Sequence, residues 1–304
     1  MISLTDIQKF LRGNIDVDVP LAKYTWMKVG GPADFYIEPA DKKDLISIVE
    51  YFHAHHYAWF MLGRGSNVLV SDEGIRGAVI NVENSLSDIR LENTMVFAEA
   101  GVRLTKFVDF CIQNGLAGVE MLAGIPGTIG GAVAMNAGAH GGEIADHLVD
   151  VEIIHDGVMQ TIQKAAGLFA YRSSRFTADV VLGASFKLMH GDKEKLSAIR
   201  RECILKRNET QPLEYPNLGS VFKNPPNTFA AKLIEQAGLK GKRAGDAQVS
   251  EKHANFIVNL GNAKAADIVR LIDLVKRTVY QNSGLMLELE VKMVGFSNFA
   301  KEAA

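Results

Sequence analysis

Residues 124–142 read GIPGTIGGAVAMNAGAHGG, and the interpretation of the chain turns on them. Gly124, Gly127, Gly130 and Gly131 leave almost no side chain over a whole turn. Main-chain amides on such a turn can reach a diphosphate directly, and a helix starting near Gly130 would add its positive end. A flexible surface loop is the competing interpretation. Ile125, Ile129, Val133 and Met135 argue against it, because they are too apolar for a solvated linker.

A second glycine loop lies upstream. Gly63, Arg64, Gly65, Ser66 and Asn67 join a predicted strand to another strand. Glycine there permits positive φ and the close approach of an anion to backbone amides. The loop is not a Rossmann fingerprint, since Val68 stands where the third glycine belongs and no helix follows. It also lacks the GK[ST] of a Walker A loop. Alone, it reads equally well as a tight structural turn. Two such cradles together suit a ligand with a diphosphate and two ends, such as a dinucleotide.

The 304 residues bring 33 Lys and Arg against 35 Asp and Glu, a formal charge of -2. A near-neutral chain has no general pull on nucleic acid, so no nucleic-acid partner is expected. No apolar run approaches the roughly 18 residues that span a bilayer, and the first residues lack the order of a secretory signal, so a cytoplasmic protein without a membrane partner is expected. Cys111 and Cys203 form no CxxC pair and fall in apolar helical stretches, which predicts buried reduced thiols. His53, His55 and His56 have no third ligand at useful spacing, so a solvated face and no metal site are expected.

Periodicity predicts helices over 39–57, 104–114, 192–207, 228–237 and 264–282, with Asp41 capping the first. Strands are predicted at 58–62, 67–70, 77–82, 94–100, 148–154, 179–188 and 254–260. The closing LMLELEVKMVG alternates with period two and predicts one more strand over 285–295, with Leu287, Leu289 and Val291 on one face and Glu288, Glu290 and Lys292 on the other. The order is mixed without a fixed repeat. An α+β protein with a break near 205–215 follows.

Three further motifs carry candidate chemistry. Tyr171-Arg172-Ser-Ser-Arg175-Phe176 offers planar guanidinium forks suited to carboxylate or phosphate, although for this motif alone two surface arginines are the better explanation. Gly219-Ser220-Val-Phe-Lys223-Asn224-Pro225 offers a hydroxyl beside a lysine and an amide, or a turn-capping serine. Glu288 and Glu290 share a face, and periodicity cannot choose between them.

The set GRGSNVLVSD, GIPGTIGGAVAMNAGAHG, YRSSRF, GSVFKNP and LELEV, in that order, resembles the UDP-N-acetylenolpyruvoylglucosamine reductase family over about residues 20–296. The likeness is to its shorter (type II) form, because little room exists after YRSSRF for the substrate-covering loop of the longer one. The resemblance implies an FAD-binding fold of the vanillyl-alcohol oxidase (PCMH) type made of two subdomains, plus a smaller α+β substrate-binding domain. Its expected boundaries are 1–85 completed by 290–304, then 86–205, then 206–289.

It implies non-covalent FAD, with NADPH as co-substrate, and reduction of UDP-GlcNAc-enolpyruvate to UDP-N-acetylmuramate in peptidoglycan precursor synthesis. Carried over by motif, Arg172 and Glu290 would stabilise the enolate, and Ser220 would donate a proton to carbon. Glu290 serves only if it is protonated, which predicts a raised pKa. A serine hydroxyl is a poor acid, so Lys223 or a water is expected to support it.

FAD would be cradled by Gly63, Arg64, Gly65, Ser66, Asn67, Gly127, Gly130, Gly131 and Asn136. Tyr171, Arg207, Gln211, Lys223, Asn224 and His253 would meet the sugar nucleotide. No oligomer is required. The alternatives are another FAD-linked oxidase or reductase of this fold acting on a small alcohol or sugar, and a non-catalytic nucleotide-binding module.

Overall fold

The computed structural model describes residues 2–296. The tail 297–304, part of the segment expected to complete the first subdomain, lies outside the described residues.

The first lobe is a four-stranded sheet in the order Asn14–Pro20, Pro32–Glu38, Ile75–Ile80, Trp59–Met61. The first pair is antiparallel and the others are parallel. Helix Lys42–Ala54 begins where the Asp41 carboxylate accepts the Asp44 amide at 3.0 Å, and it buries Leu45, Ile48, Val49 and Phe52. Asp44 is itself buried. Its carboxylate accepts the amides of Arg12, Gly13 and Ala40, which fastens the N-terminal segment to the helix. A buried carboxylate is tolerated there because three backbone donors surround it.

The second lobe is a five-stranded antiparallel sheet in the order Val158–Gln163, Leu148–His155, Val180–Lys187, Met95–Glu99, Ile89–Glu92. Helix Leu104–Gln113 covers it with Leu104, Phe107, Val108, Cys111 and Ile112, all buried. These side chains and the apolar face of helix Lys42–Ala54 form one continuous core, so the first two lobes pack as one body. Cys111 and Cys203 are free and buried, and burial pushes the Cys111 thiol up to about 12.

The third lobe packs helices Ala230–Gln236 and Ala265–Ser283 on the small sheet Arg243–Ala244, Ala247–Val249, Ile257–Asn259, around a core that also takes in Met27, Val29 and Leu69 of the first lobe. Three polar contacts fix it to the first lobe. Asp72 accepts the first-turn amides of Ala265 and Ala266 at 2.8 and 3.0 Å, so a residue of one lobe caps the long helix of another. The Asn259 side-chain amide donates to the Met27 carbonyl, and that of Asn67 donates to the Glu290 carbonyl, both at 3.0 Å.

The expected strand over 285–295 is corrected by the structure. Only Lys292–Val294 forms a ladder, parallel to Val68–Val70, and upstream of it a single antiparallel bridge joins Leu289 to Phe222. Residues 285–291 run as irregular chain because their neighbours differ on the way. The Glu288 carbonyl takes the Lys223 amide, and the Glu290 amide donates to Val221. The chain then leaves the third lobe for the first. The period-two pattern is kept only in part: Leu287 and Val291 are buried on one side, but Leu285 is exposed and Val294, on the other side, is buried where the ladder forms.

Candidate active site

Both glycine loops come together. The Ser66 hydroxyl donates to the Pro126 carbonyl at 3.1 Å. A Cβ on Gly63 would stand 2.9 Å from the Thr128 hydroxyl oxygen, and one on Gly127 would stand 3.6 Å from the Ser66 hydroxyl. The glycines therefore do different jobs. Gly63 lets the loops approach. Gly65, at φ +61, would collide with the Tyr24 carbonyl if it carried a side chain. Gly130 packs on Ala100, and its amide donates to the Ala100 carbonyl. Gly127 and Gly131 have open space where a Cβ would lie, with only a hydroxyl oxygen near each.

The expected contribution of a helix start is also refined. Helix Ile129–Met135 has seven residues, and its first amides are taken by the Val102 and Ala100 carbonyls and by the Thr128 side chain. The amides of Gly127 and Thr128 and those of residues 63–67 meet no acceptor among the described residues. Bare donors on two facing loops, with open space over Gly127 and Gly131, fit a diphosphate bridge.

Asn136 ends the short helix in the left-handed conformation, φ 48. Its amide nitrogen donates to Glu143 at 2.8 Å and to the Ala170 carbonyl at 2.9 Å, while its buried oxygen has no partner among the described residues. The Ala170 bond, with the Ser174 hydroxyl donating to Ala134 at 2.9 Å, straps the hairpin Phe169–Ala170/Ser173–Ser174 to that helix. Tyr171 and Arg172 form its tip, and Arg172 takes φ +54.

The Arg172 guanidinium lies over the Tyr171 ring at 4.9 Å. It donates to the Gly138 carbonyl at 2.6 Å and pairs with Glu290 at 3.4 Å. By contrast, Arg175 is occupied with Asp179.

The structure separates the two glutamates that periodicity could not. The Glu288 side chain is 72% exposed and pairs with Lys223 at 2.5 Å, whereas the Glu290 side chain is 17% exposed and faces Arg172. Burial pushes the Glu290 carboxyl up to about 7, against the pull of Arg172 and Lys223. The raised value expected for this residue is what the geometry produces.

Ser220 follows Gly219 at φ +72 and immediately precedes the backbone that holds Glu290. Asn255 clamps that backbone. Its carbonyl accepts Val221, and its side chain bonds both polar groups of Phe222 at 3.0 and 2.8 Å. The Ser220 hydroxyl has no hydrogen bond among the described residues. Lys223, expected beside it, has its ammonium on Glu288.

Other candidates disperse. Asn224 accepts the Ala230 amide at the start of a helix. His253 accepts the Asn255 amide through Nδ1 at 3.3 Å, and burial lowers its pKa, so it is a neutral turn residue here. Arg207 bonds Gln211 at 3.0 Å and lies beside Gly124, in a cavity of about 290 Å³ that also meets Trp26, Arg64 and Arg200. Burial lowers the Arg207 pKa as well. Arg64 pairs with Glu83 at 2.6 Å. Asn255, Asp72 and Trp26 were not found from sequence. An asparagine between apolar residues (Asn255) and an acid closing GRGSNVLVSD (Asp72) were the available signals.

Comparison with known proteins fits this geometry. Residues 33–162 match the FAD binding domain family, and residues 211–294 match the C-terminal domain of UDP-N-acetylenolpyruvoylglucosamine reductase. The UDP-N-acetylenolpyruvoylglucosamine reductase of Chloroherpeton thalassium is 43% identical over 99% of this chain and 100% of its own. The crystal structure of that enzyme from Thermus caldophilus superposes with a TM-score of 0.80 at 37% identity, covering 94% of this chain and 100% of the other. A berberine bridge enzyme variant, 15% identical with a TM-score of 0.50 over 62% of this chain and 43% of its own, shares the fold.

The first two lobes are thus a flavin-binding body of the vanillyl-alcohol oxidase type, and the chain is an FAD-dependent oxidoreductase. It belongs to the UDP-N-acetylenolpyruvoylglucosamine reductase family, in the shorter form. Strand Val180–Lys187 follows soon after the Arg172 hairpin, with only a short 3-10 turn, Arg175–Ala178, between them.

Proposed function

We propose that the chain reduces UDP-N-acetylglucosamine enolpyruvate to UDP-N-acetylmuramate at the expense of NADPH, in the supply of peptidoglycan precursors. The observation that carries the reading is the partly buried Arg172–Glu290 pair, linked through Asn67 to two facing loops of free amides. FAD, when bound, would supply the hydride-transfer chemistry between NADPH and the enolpyruvyl group. Residues 63–67 with Gly127 would hold its diphosphate through main-chain donors, and Gly131, whose own amide is on the Thr128 hydroxyl, would leave it room. Gly130 and Asn136 shape that cradle, by packing and by fastening the hairpin.

Charge then builds on the substrate carboxylate as hydride arrives. Arg172 meets it as a fixed cation, and Glu290, as the neutral acid, donates a hydrogen bond rather than repelling it. Ser220 gives the proton to the neighbouring carbon, and solvent restores it. Tyr171, Lys223 and Asn224 line the approach of the sugar nucleotide, and Arg207 with Gln211 and His253 offer further contacts to its phosphates. The lobes act as units bounded at about 85 and 205. The substrate is a small molecule. Among the described residues no helix is long and apolar enough to cross a membrane; we place the protein in the cytoplasm, where the nucleotide substrates are.

The test is single turnover in two halves. The purified protein is yellow, NADPH bleaches it, and the enolpyruvyl substrate restores the colour. Ser220→Ala bleaches normally and recovers about a hundredfold more slowly. Equal slowing of both halves overturns the proton-donor role. Rapid recovery in air without substrate points instead to an oxidase, and a colourless protein to a binding module.

A further inference from the structure

Arg172 has a second acidic neighbour that the reaction scheme leaves unused. Glu143 sits on the small hairpin Gly138–Ala139/Gly142–Glu143, and its Oε1 is 3.9 Å from Arg172 Nη1. Its other oxygen accepts the buried Asn136 amide at 2.8 Å, so the carboxylate is held rather than swinging in solvent. Gly138 lies between them: a Cβ there would stand 2.9 Å from Glu143 Cγ and 3.0 Å from Arg172 Nη1. The guanidinium is thus gripped by the Gly138 carbonyl and by acids on two sides, Glu143 and Glu290.

We propose that Glu143 is a positioning residue for the substrate half of the reaction: tied to Asn136, it supplies the standing counter-charge to Arg172, so that the cation stays in place without claiming Glu290 as its ionised partner. The inference rests on the activity proposed above and deepens it.

Charge arithmetic supports it. A guanidinium in a partly buried site stabilises the nearest carboxylate anion, and here the nearest is the acid that has to remain neutral. Glu143 shares that cation, which weakens its hold on an ionised Glu290 and so favours the neutral form there. The groups facing Glu290 are Arg172 from the hairpin and Lys223 from the segment after Ser220, and Lys223 is already paired with Glu288. Around Glu143 stand Arg172 and Asp146, which accepts the Glu143 amide at 2.8 Å. Lys164 donates to the carbonyls of Ala145 and Asp146, and His140 lies on the same hairpin.

Glu143→Gln separates charge from structure, because the glutamine oxygen can still accept from Asn136. In the FAD-loaded protein, NADPH bleaching is expected to stay within twofold of the parent. Recovery with substrate keeps its rate below pH 6, but its alkaline limb moves down by about half a unit to one unit, a three- to tenfold loss above neutrality. Carbon-13 NMR of glutamate-labelled protein, with the Glu290 carboxyl assigned through Glu290→Gln, shows the same downward move.

An unmoved limb and an unmoved Glu290 titration overturn the proposal. So does a Glu143→Gln protein that loses both halves equally, as Glu143→Ala is expected to if the side chain only braces the hairpin. Failure of the parent protein to recover with substrate would sink the activity reading alone, and the NMR titration would still decide the role of Glu143.

Discussion

The glycine loops and the Arg172–Glu290 corner are joined by the Asn67 side chain, which donates to the Glu290 carbonyl, but are made of different material. The loops offer main-chain amides without formal charge, held by a hydroxyl-to-carbonyl bond and by the absence of Cβ atoms. The corner is made of side chains delivered by three distant segments, at 138–143, 169–174 and 288–291. Backbone donors cannot be retuned by pH and suit a resident ligand. Side-chain charges can be shifted by their neighbours and suit a transient one. The difference predicts that lesions in the loops will cost cofactor, whereas lesions in the corner will cost only chemistry.

Arg172→Ala gives the largest effect. In the proposed scheme it removes the cation that meets the charge developing on the substrate carboxylate, so recovery with substrate is expected to slow on the order of a thousandfold while colour and NADPH bleaching remain. A colourless Arg172→Ala protein would break the comparison. Gly65→Ala tests the other side. It forces a left-handed backbone and a collision with Tyr24, at a cost of about 2 kcal/mol or more, and is expected to elute with little flavin and a lowered Tm. Normal colour there would mean that the loop is not the grip.

The pH profile is the next smaller effect. Glu290, raised to about 7 by burial, is the neutral acid below that pH and a carboxylate above it. The substrate half should therefore fall about tenfold per unit above pH 7, with the NADPH half flat across the same range. Glu290→Gln removes the limb along with most of the rate. Asp72→Ala is the smallest, at about 1 kcal/mol of stability, read by denaturant unfolding. It loosens the third lobe and so raises KM for the nucleotide more than it lowers kcat.

The same division explains what was legible in the sequence. Glycine clusters are visible as such, and so are the Asp41 cap and the apolar stripes of helices Lys42–Ala54, Leu104–Gln113 and Ala265–Ser283. The corner was not visible from spacing: Glu288 and Glu290 are equivalent in a period-two pattern, and only the crossing of the chain between lobes buries one and exposes the other. The motif resemblance named Arg172, Ser220 and Glu290, but it gave no reason for Asn255 or Glu143, whose roles exist only once distant segments meet. Strands Asn14–Pro20 and Val158–Gln163 escaped because both are sheet edges with mostly exposed side chains, where burial leaves little apolar signature.

Arg172 holds a backbone shape that an arginine adopts at a cost of about 1 kcal/mol and a glycine adopts freely. Glycine would relieve that cost but would give up the guanidinium's bond to the Gly138 carbonyl and its place against Glu290. The tip therefore keeps an unfavoured backbone because the side chain that it carries outweighs the strain.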